Sequence, residues 1–133
     1  MIIVLYASKA AGAAAAMEHP APPTWKPNAP SSFYLPELKW LHNLGEAGFD
    51  IFDQCMLGAP SVKPTALLHV NFPQVSDRIA DMPNACRCDR SHQHIALIGH
   101  AEDGTFKTAP AKQYPGPMNH LLARSSADLC KHK

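Results

Sequence analysis

The stretch FDIFDQCMLGAPSVKPTALLHVNF, residues 49–72, predicts two β-strands joined by a turn. In its first part Phe49, Ile51 and Asp53 alternate with other residues, which is the period of a strand with two different faces. The segment MLGAPSVKP contains one glycine and two prolines and predicts the turn. The segment TALLHVNF then predicts the second strand.

A clear helix precedes these strands. It begins at Pro36, because proline suits the first turn of a helix, and its leucines recur at helical spacing. A glycine, either Gly45 or Gly48, is expected to end it. The predicted apolar stripe consists of Leu35, Leu38, Leu41 and Leu44.

The remaining segments complete a mixed pattern of helices and strands. Residues 1–14 predict an alanine-rich helix, and a short strand ending at Glu18 follows it. Residues 73–94 lack a clear apolar period and are predicted to be irregular, whereas residues 94–100 predict a third strand. The last helix is expected to begin near Pro117. This mixture predicts an α/β fold.

Composition limits the class of protein. The chain has 133 residues, of which 46% are apolar and 17% charged, so we expect one domain over residues 1–133. A net charge of +1 gives no global attraction to nucleic acid or to an acidic membrane. Thirteen prolines predict long connections. No apolar run approaches the ~20 residues that span a bilayer, so we expect no membrane span.

The cysteines are compatible with two cellular locations, one oxidising and one reducing. Four cysteines in a secreted chain could form two disulfides, and the start MIIVLYASKAAGAAAAM could pass for a signal peptide. However, no positive charge precedes that apolar run, and Cys86 and Cys88 are poorly spaced for a mutual bridge. The eight histidines favour a reduced chain that could bind metal. We therefore expect an intracellular protein, nuclear or cytoplasmic, with secretion as the alternative.

The segment CRCDRSHQH, residues 86–94, is the densest run of potential metal ligands in the chain. Cys86, Cys88, His92 and His94 could supply all four ligands of a zinc site. A second arrangement would use three of them together with Cys55, which would join the loop to the sheet. Spacings of one residue are unusual for zinc, so a polar loop without metal is the other alternative. If zinc binds, we expect a structural role, since it would order a poorly patterned segment.

Two motifs occur in an order that composition does not explain. Glu18-His19-Pro20 follows an apolar stretch and an alanine-rich helix, and Gly58, Pro60 and Lys63 form a Gly-x-Pro-x-x-basic turn between two predicted strands. The pair resembles the cytosine-5 DNA methyltransferases, S-adenosylmethionine-dependent enzymes with a doubly wound α/β fold. The resemblance covers roughly residues 1–72. It extends to phage-type relatives and to fungal and protist mobile-element-like proteins.

The resemblance implies roles for two residues. Glu18 would contact a flipped cytosine and favour protonation of its ring nitrogen, and Lys63 would help to hold the nucleotide. It also implies a partial doubly wound sheet, with residues 1–72 as the methyltransferase-like region. Residues 73–133 would then contain the ligand-rich irregular loop, the zinc site and the tail.

Essential parts of that enzyme family are missing from the chain. No Pro-Cys pair supplies the attacking cysteine, no glycine-rich turn binds the methyl donor, and His19 replaces the asparagine of the family motif. We therefore expect a catalytically incomplete fragment that does not bind S-adenosylmethionine and that binds nucleic acid or a second chain supplying the missing half. A basic strip would contact the nucleic acid: Lys63, Arg78, Arg87 and Arg90. The alternative function is a small zinc-stabilised interaction module of a mobile-element-type protein.

Overall fold

Helices and strands are interspersed along the chain. The computed structural model describes residues 2–22, 31–43, 47–95 and 114–131. Its elements are α1 (Ile2–Ala11), β1 (Ala15–Pro20), α2 (Pro36–Asn43), β2 (Gly48–Asp53), β3 (Pro64–Val70), α3 (Pro73–Asp81) and α4 (Gly116–Lys131). Short 3-10 turns lie at Ser32–Tyr34, Gln54–Leu57 and Pro83–Cys86. None of the helices in the described ranges is both long and apolar enough to cross a bilayer.

The three strands form one antiparallel sheet with β3 in the middle, in the order β1-β3-β2. Every residue of β3 after Pro64 is buried, which agrees with the nearly unbroken apolar run in its sequence. The predicted mixture of helices and strands is therefore confirmed. Doubly wound sheets are mostly parallel, whereas the strands described here are antiparallel, so the doubly wound arrangement is not confirmed.

Alternate side chains of β3 enter two cores on opposite faces of the sheet. Helices α1 and α2 cover one face and α3 and α4 cover the other. The first core contains Leu5, Phe33, Leu38, Leu41, Ala66, Leu68 and Val70. The second contains Phe52, Leu57, Leu67, Phe72, Val75, Ile79, Cys86 and Met118. The predicted final helix is confirmed, and its Met118, Leu121 and Leu122 all pack into the second core.

One segment predicted to be irregular is helical. Helix α3 begins at Pro73, where proline fits the first turn, and it buries Val75 and Ile79 one turn apart. Only these two residues of α3 carry the apolar pattern, so the sequence offers a weak signal. The helix forms because this pair packs into the core beneath β2 and β3.

The predicted leucine stripe of α2 is confirmed in part. Leu38 and Leu41 are buried, but Leu35 is 43% exposed, because its backbone is extended and it therefore precedes the helical register. Leu44 and Gly45 lie outside the described residues, as does nearly all of the strand predicted over residues 94–100.

A polar cluster joins β2, β3 and α3. His69 Nε2 lies 2.7 Å from Asp50 Oδ2 and 2.9 Å from Ser76 Oγ, and the Ser76 hydroxyl donates to the same carboxylate oxygen at 2.5 Å. In a serine hydrolase triad the carboxylate and the hydroxyl bind opposite ring nitrogens. Here both contact Nε2, so the cluster differs from the triad arrangement and ties three elements together.

Acid should weaken the fold through Asp50. Burial raises the pKa of this carboxyl, but hydrogen bonds from His69 and Ser76 and the charge of the His69 ring outweigh burial and hold the pKa below its ordinary 3.8. Because the folded-state pKa is the lower one, Asp50 stabilises the fold above about pH 4, and this contribution is lost as pH falls through the folded value. In urea unfolding, the stability difference between the parent and Asp50→Asn should shrink below about pH 4. A difference that stays constant with pH would contradict this.

Candidate metal centre

The fold brings four metal-ligating side chains together beside the end of β2. The ligand atoms of Cys55, Cys88, His92 and His94 all lie within 4.8 Å of one another. Cys55 is buried, Cys88 and His94 are half-buried, and His92 is exposed. The cluster therefore lies at the edge of the protein, with one ligand in the core and the others in a surface segment.

Cys55 is held by the 3-10 turn that follows β2. Its N–H donates to the carbonyl of Val62 at 3.3 Å, across the turn that leads into β3. The turn ends at Gly58, whose φ of 95° lies in the left-handed region that favours glycine, and the Gly58 N–H donates to the Cys55 carbonyl at 3.1 Å. These hydrogen bonds hold the backbone on both sides of Cys55.

The other three ligands lie in a segment anchored to β2 by a buried carboxylate. Asp53 is 4% exposed, and its Oδ2 accepts from the Cys88 N–H at 2.7 Å. The same oxygen lies 3.3 Å from Arg87 Nε. Farther along, the Ile95 N–H donates to the Pro60 carbonyl at 2.8 Å. These bonds place the segment against the turn that contains Cys55.

A local turn shapes the segment between the ligands. Asp89 Oδ1 accepts from both the N–H and the hydroxyl of Ser91, at 2.9 and 2.6 Å, and these hydrogen bonds lower the pKa of the Asp89 carboxyl. Arg90 has a left-handed φ of 61°. Asp89 is therefore a turn former, as is usual for an aspartate followed two residues later by a serine.

The two sulfur atoms of the cluster lie close to polar groups and to each other. Cys88 Sγ accepts from the Arg90 N–H at 3.3 Å and lies 3.5 Å from His94 Nε2. Burial, the adjacent Cys88 thiol and the Asp53 carboxylate together raise the pKa of Cys55 to about 12. A free Cys55 therefore remains a thiol at neutral pH, and a bound cation would displace its proton.

The donor set fits zinc. In tetrahedral zinc sites the Zn–S and Zn–N bonds place neighbouring sulfur and nitrogen ligands about 3.6 Å apart. The 3.5 Å separation of Cys88 Sγ and His94 Nε2 agrees with that spacing. Two thiolates and two imidazoles would supply the four ligands that a tetrahedral metal ion takes.

Cys86 is not part of this cluster. Its side chain is 0% exposed and packs in the second core, because the 3-10 turn Pro83–Cys86 ends with a left-handed φ of 61° at this residue. Burial, together with the Asp53 carboxylate, raises the pKa of its thiol to about 11. Of the two ligand sets considered from the sequence, the structure brings together the one that includes Cys55 and not the one that includes Cys86.

The residues that the methyltransferase resemblance selected lie elsewhere. Tyr114 Oη donates to Glu18 Oε2 at 2.5 Å, and Lys63 Nζ lies 5.8 Å from the centroid of the Tyr114 ring. Burial and the Glu18 carboxylate raise the pKa of Tyr114 to about 12. Glu18 and Lys63 therefore both contact one tyrosine, at the start of α4.

The predicted basic strip is divided between three places, one of which is the contact of Lys63 with Tyr114. Arg87 and Arg90 line a cleft beside the metal cluster. Arg78 instead pairs with Asp128 and thereby joins α3 to α4. It lines a separate cavity with Arg124 and His120. The structure thus does not place Arg78 with the other arginines.

The role of Asp53 has only a weak signal in the sequence. It occupies the third position of an alternation begun by Phe49 and Ile51, where another apolar side chain would fit a strand face. A charged residue at the buried end of such a pattern is the available signal.

No family model, curated protein or solved structure matches this chain.

Proposed function

We propose that this protein is a small zinc-stabilised interaction module, in which Cys55, Cys88, His92 and His94 bind one structural zinc ion. The proposal is supported by the convergence of four donor atoms within 4.8 Å, from segments that lie far apart in the sequence. Two thiolates and two imidazoles form a closed ligand set, which is typical of structural zinc and not of catalytic zinc.

The surface segment, residues 87–95, needs a further interaction to hold it against the rest of the protein. From Arg87 to Ile95 no residue is buried, so this part of the chain contributes no side chain to either core. Its described anchors are the Asp53 carboxylate, the Pro60 carbonyl and two hydrogen bonds between Arg87 and Asn84. A few hydrogen bonds offset little of the entropy lost on ordering nine residues, at about 1–2 kcal/mol per residue. Zinc would supply the rest and hold the exposed side chains in one arrangement for a partner.

Metal content tests the proposal directly. We expect protein purified without added chelator to contain about one zinc ion per chain by mass spectrometry, and a zinc chelator to remove it with a loss of thermal stability. Cobalt substitution should give the visible absorption and thiolate charge-transfer bands of a tetrahedral site with sulfur ligands. Protein that folds without zinc, and whose melting temperature does not respond to added zinc, would refute the proposal.

A second candidate function is the methyltransferase-like fragment without activity. It is favoured by one observation, the meeting of Glu18 and Lys63 at Tyr114, because the resemblance assigns both residues to the nucleotide pocket. The antiparallel order of the described strands gives it no support. Calorimetry with cytosine-containing single-stranded DNA and a Glu18→Gln variant separates the two functions, since only the second expects Glu18 to contribute to binding.

A further inference from the structure

A cleft of about 480 Å³ opens directly beside the metal cluster. Its walls include two of the metal ligands, Cys88 and His94, together with the side chains of Asp53, Arg87 and Arg90. Its volume falls in the range of roughly 300–1,000 Å³ that is usual for small-molecule sites. The cleft is therefore large enough for a ligand, and two arginines are among its lining residues.

Asp53 orients one of these guanidinium groups. It is buried on β2, and its Oδ2 contacts Arg87 through Nε, at 3.3 Å. A guanidinium carries five N–H donors, and an ion pair through Nε leaves those on the two terminal nitrogens available. The Arg87 side chain is 47% exposed, so these remaining donors can reach a ligand. The carboxylate thus holds the arginine in place without using up its donors.

Arg90 supplies an uncompensated positive charge. Within the part of the chain that the structure describes, no carboxylate is paired with its guanidinium. The neighbouring Asp89 does not line the cleft, and its carboxylate accepts two hydrogen bonds from Ser91. The negative charge of Asp53 balances the positive charge of Arg87, and a zinc ion with two thiolate ligands has no net charge. The positive charge of Arg90 therefore remains as the net charge of the cleft.

We propose that this cleft binds a phosphate ester, carried by a nucleotide or by the backbone of a single-stranded nucleic acid. Two guanidinium groups present more donors than the two oxygens of a carboxylate can accept in one plane, whereas the tetrahedral oxygens of a phosphate accept from both. The inference rests on the proposed function, because the zinc ion fixes the segment that carries both arginines.

Binding should be measured on zinc-loaded protein with three probes: adenosine, adenosine monophosphate and a short fluorescein-labelled oligothymidylate. We expect the phosphate-bearing probes to bind and adenosine not to bind. The affinity should fall about tenfold in Arg90→Gln and in Arg87→Gln, as for the loss of one charge-assisted contact. Tighter binding of the oligonucleotide, with a steep salt dependence, would identify a nucleic-acid strand as the source of the phosphate. Tighter binding of the mononucleotide would identify a free nucleotide.

Arg124→Gln is the matched control, since Arg124 lines a different cavity, and it should bind like the parent. Equal binding of adenosine and adenosine monophosphate, unchanged affinity in both cleft variants, or no binding of either phosphate would overturn the inference. Zinc content measured on every sample separates the two proposals. If zinc-loaded protein binds no phosphate, only the proposal of a phosphate site in the cleft is refuted. If the purified protein contains no zinc, the proposal of a zinc-stabilised module is refuted.

Discussion

Replacing Cys88 with serine should abolish zinc binding and lower the melting temperature by about 10 °C or more. Cys88 Sγ is one of four clustered ligand atoms, and a site with three ligands no longer closes around the metal. Zinc binding contributes about 10–16 kcal/mol in zinc-finger peptides. Even a loss of about 3 kcal/mol corresponds to roughly 10 °C in a chain of this length. Thermal unfolding with and without chelator measures the change.

Two other cysteines make the Cys88→Ser experiment specific. Cys130→Ser, at an exposed position in α4, should change neither zinc content nor stability. Cys86→Ala should keep zinc but lose stability, because it removes a fully buried side chain from the second core. The opposite pattern, with zinc lost in Cys86→Ala and kept in Cys88→Ser, would mean that the surface segment folds around the metal differently.

The second large effect is expected at Gly48. This residue faces His69 across the β2–β3 pair, and a Cβ at Gly48 would lie 2.3 Å from Cε1 and 2.7 Å from Nε2 of the ring. Alanine would therefore push the ring away from Asp50 and Ser76. Overpacking together with the loss of buried hydrogen bonds should reduce the free energy of unfolding by about 3 kcal/mol. Urea denaturation of Gly48→Ala measures this loss.

Two comparisons test the reason for the effect. Gly116 is the first residue of α4, and a Cβ there meets no atom within 4 Å, so Gly116→Ala should change the free energy of unfolding much less than Gly48→Ala. In His69→Ala the obstructing ring is gone, so adding Gly48→Ala to that variant should cost much less than adding it to the parent. Additive effects of the two substitutions would show that the ring is not what excludes a side chain at Gly48.

The sequence predicted most of the regular elements because their patterns are local. The leucines of α2 at Leu38 and Leu41 and the apolar run of β3 both mark their elements. Strand pairing is not local, and it decided the topology. The resemblance implied a doubly wound sheet, but β3 pairs antiparallel with both neighbours. Helix α3 was missed because only Val75 and Ile79 carry its pattern.

The candidate site was predicted in composition but not in full detail. The ligand-rich segment predicts Cys88, His92 and His94 as ligands, and Cys55 from a neighbouring motif is the predicted replacement ligand. Adjacent residues in a sequence cannot reveal that Cys86 turns inward while Cys88 turns outward. That difference follows from the left-handed backbone of the 3-10 turn that ends at Cys86, and this backbone depends on tertiary packing.

The burial of β3 on both faces has a consequence for the uniqueness of the fold. In a strand with apolar side chains on one face only, a register shift of one residue strongly destabilises the fold, because polar groups would then enter the core. In β3, Leu67 and Leu68 enter opposite cores, so a displaced strand would still bury leucine on each side. The apolar side chains of β3 therefore stabilise the fold but discriminate little between the native register and a shifted one. Only the native alignment of the strands satisfies the two buried polar residues of β3. In that alignment His69 meets its hydrogen-bonding partners and the space left by Gly48, and the Thr65 hydroxyl accepts from the Gln54 amide.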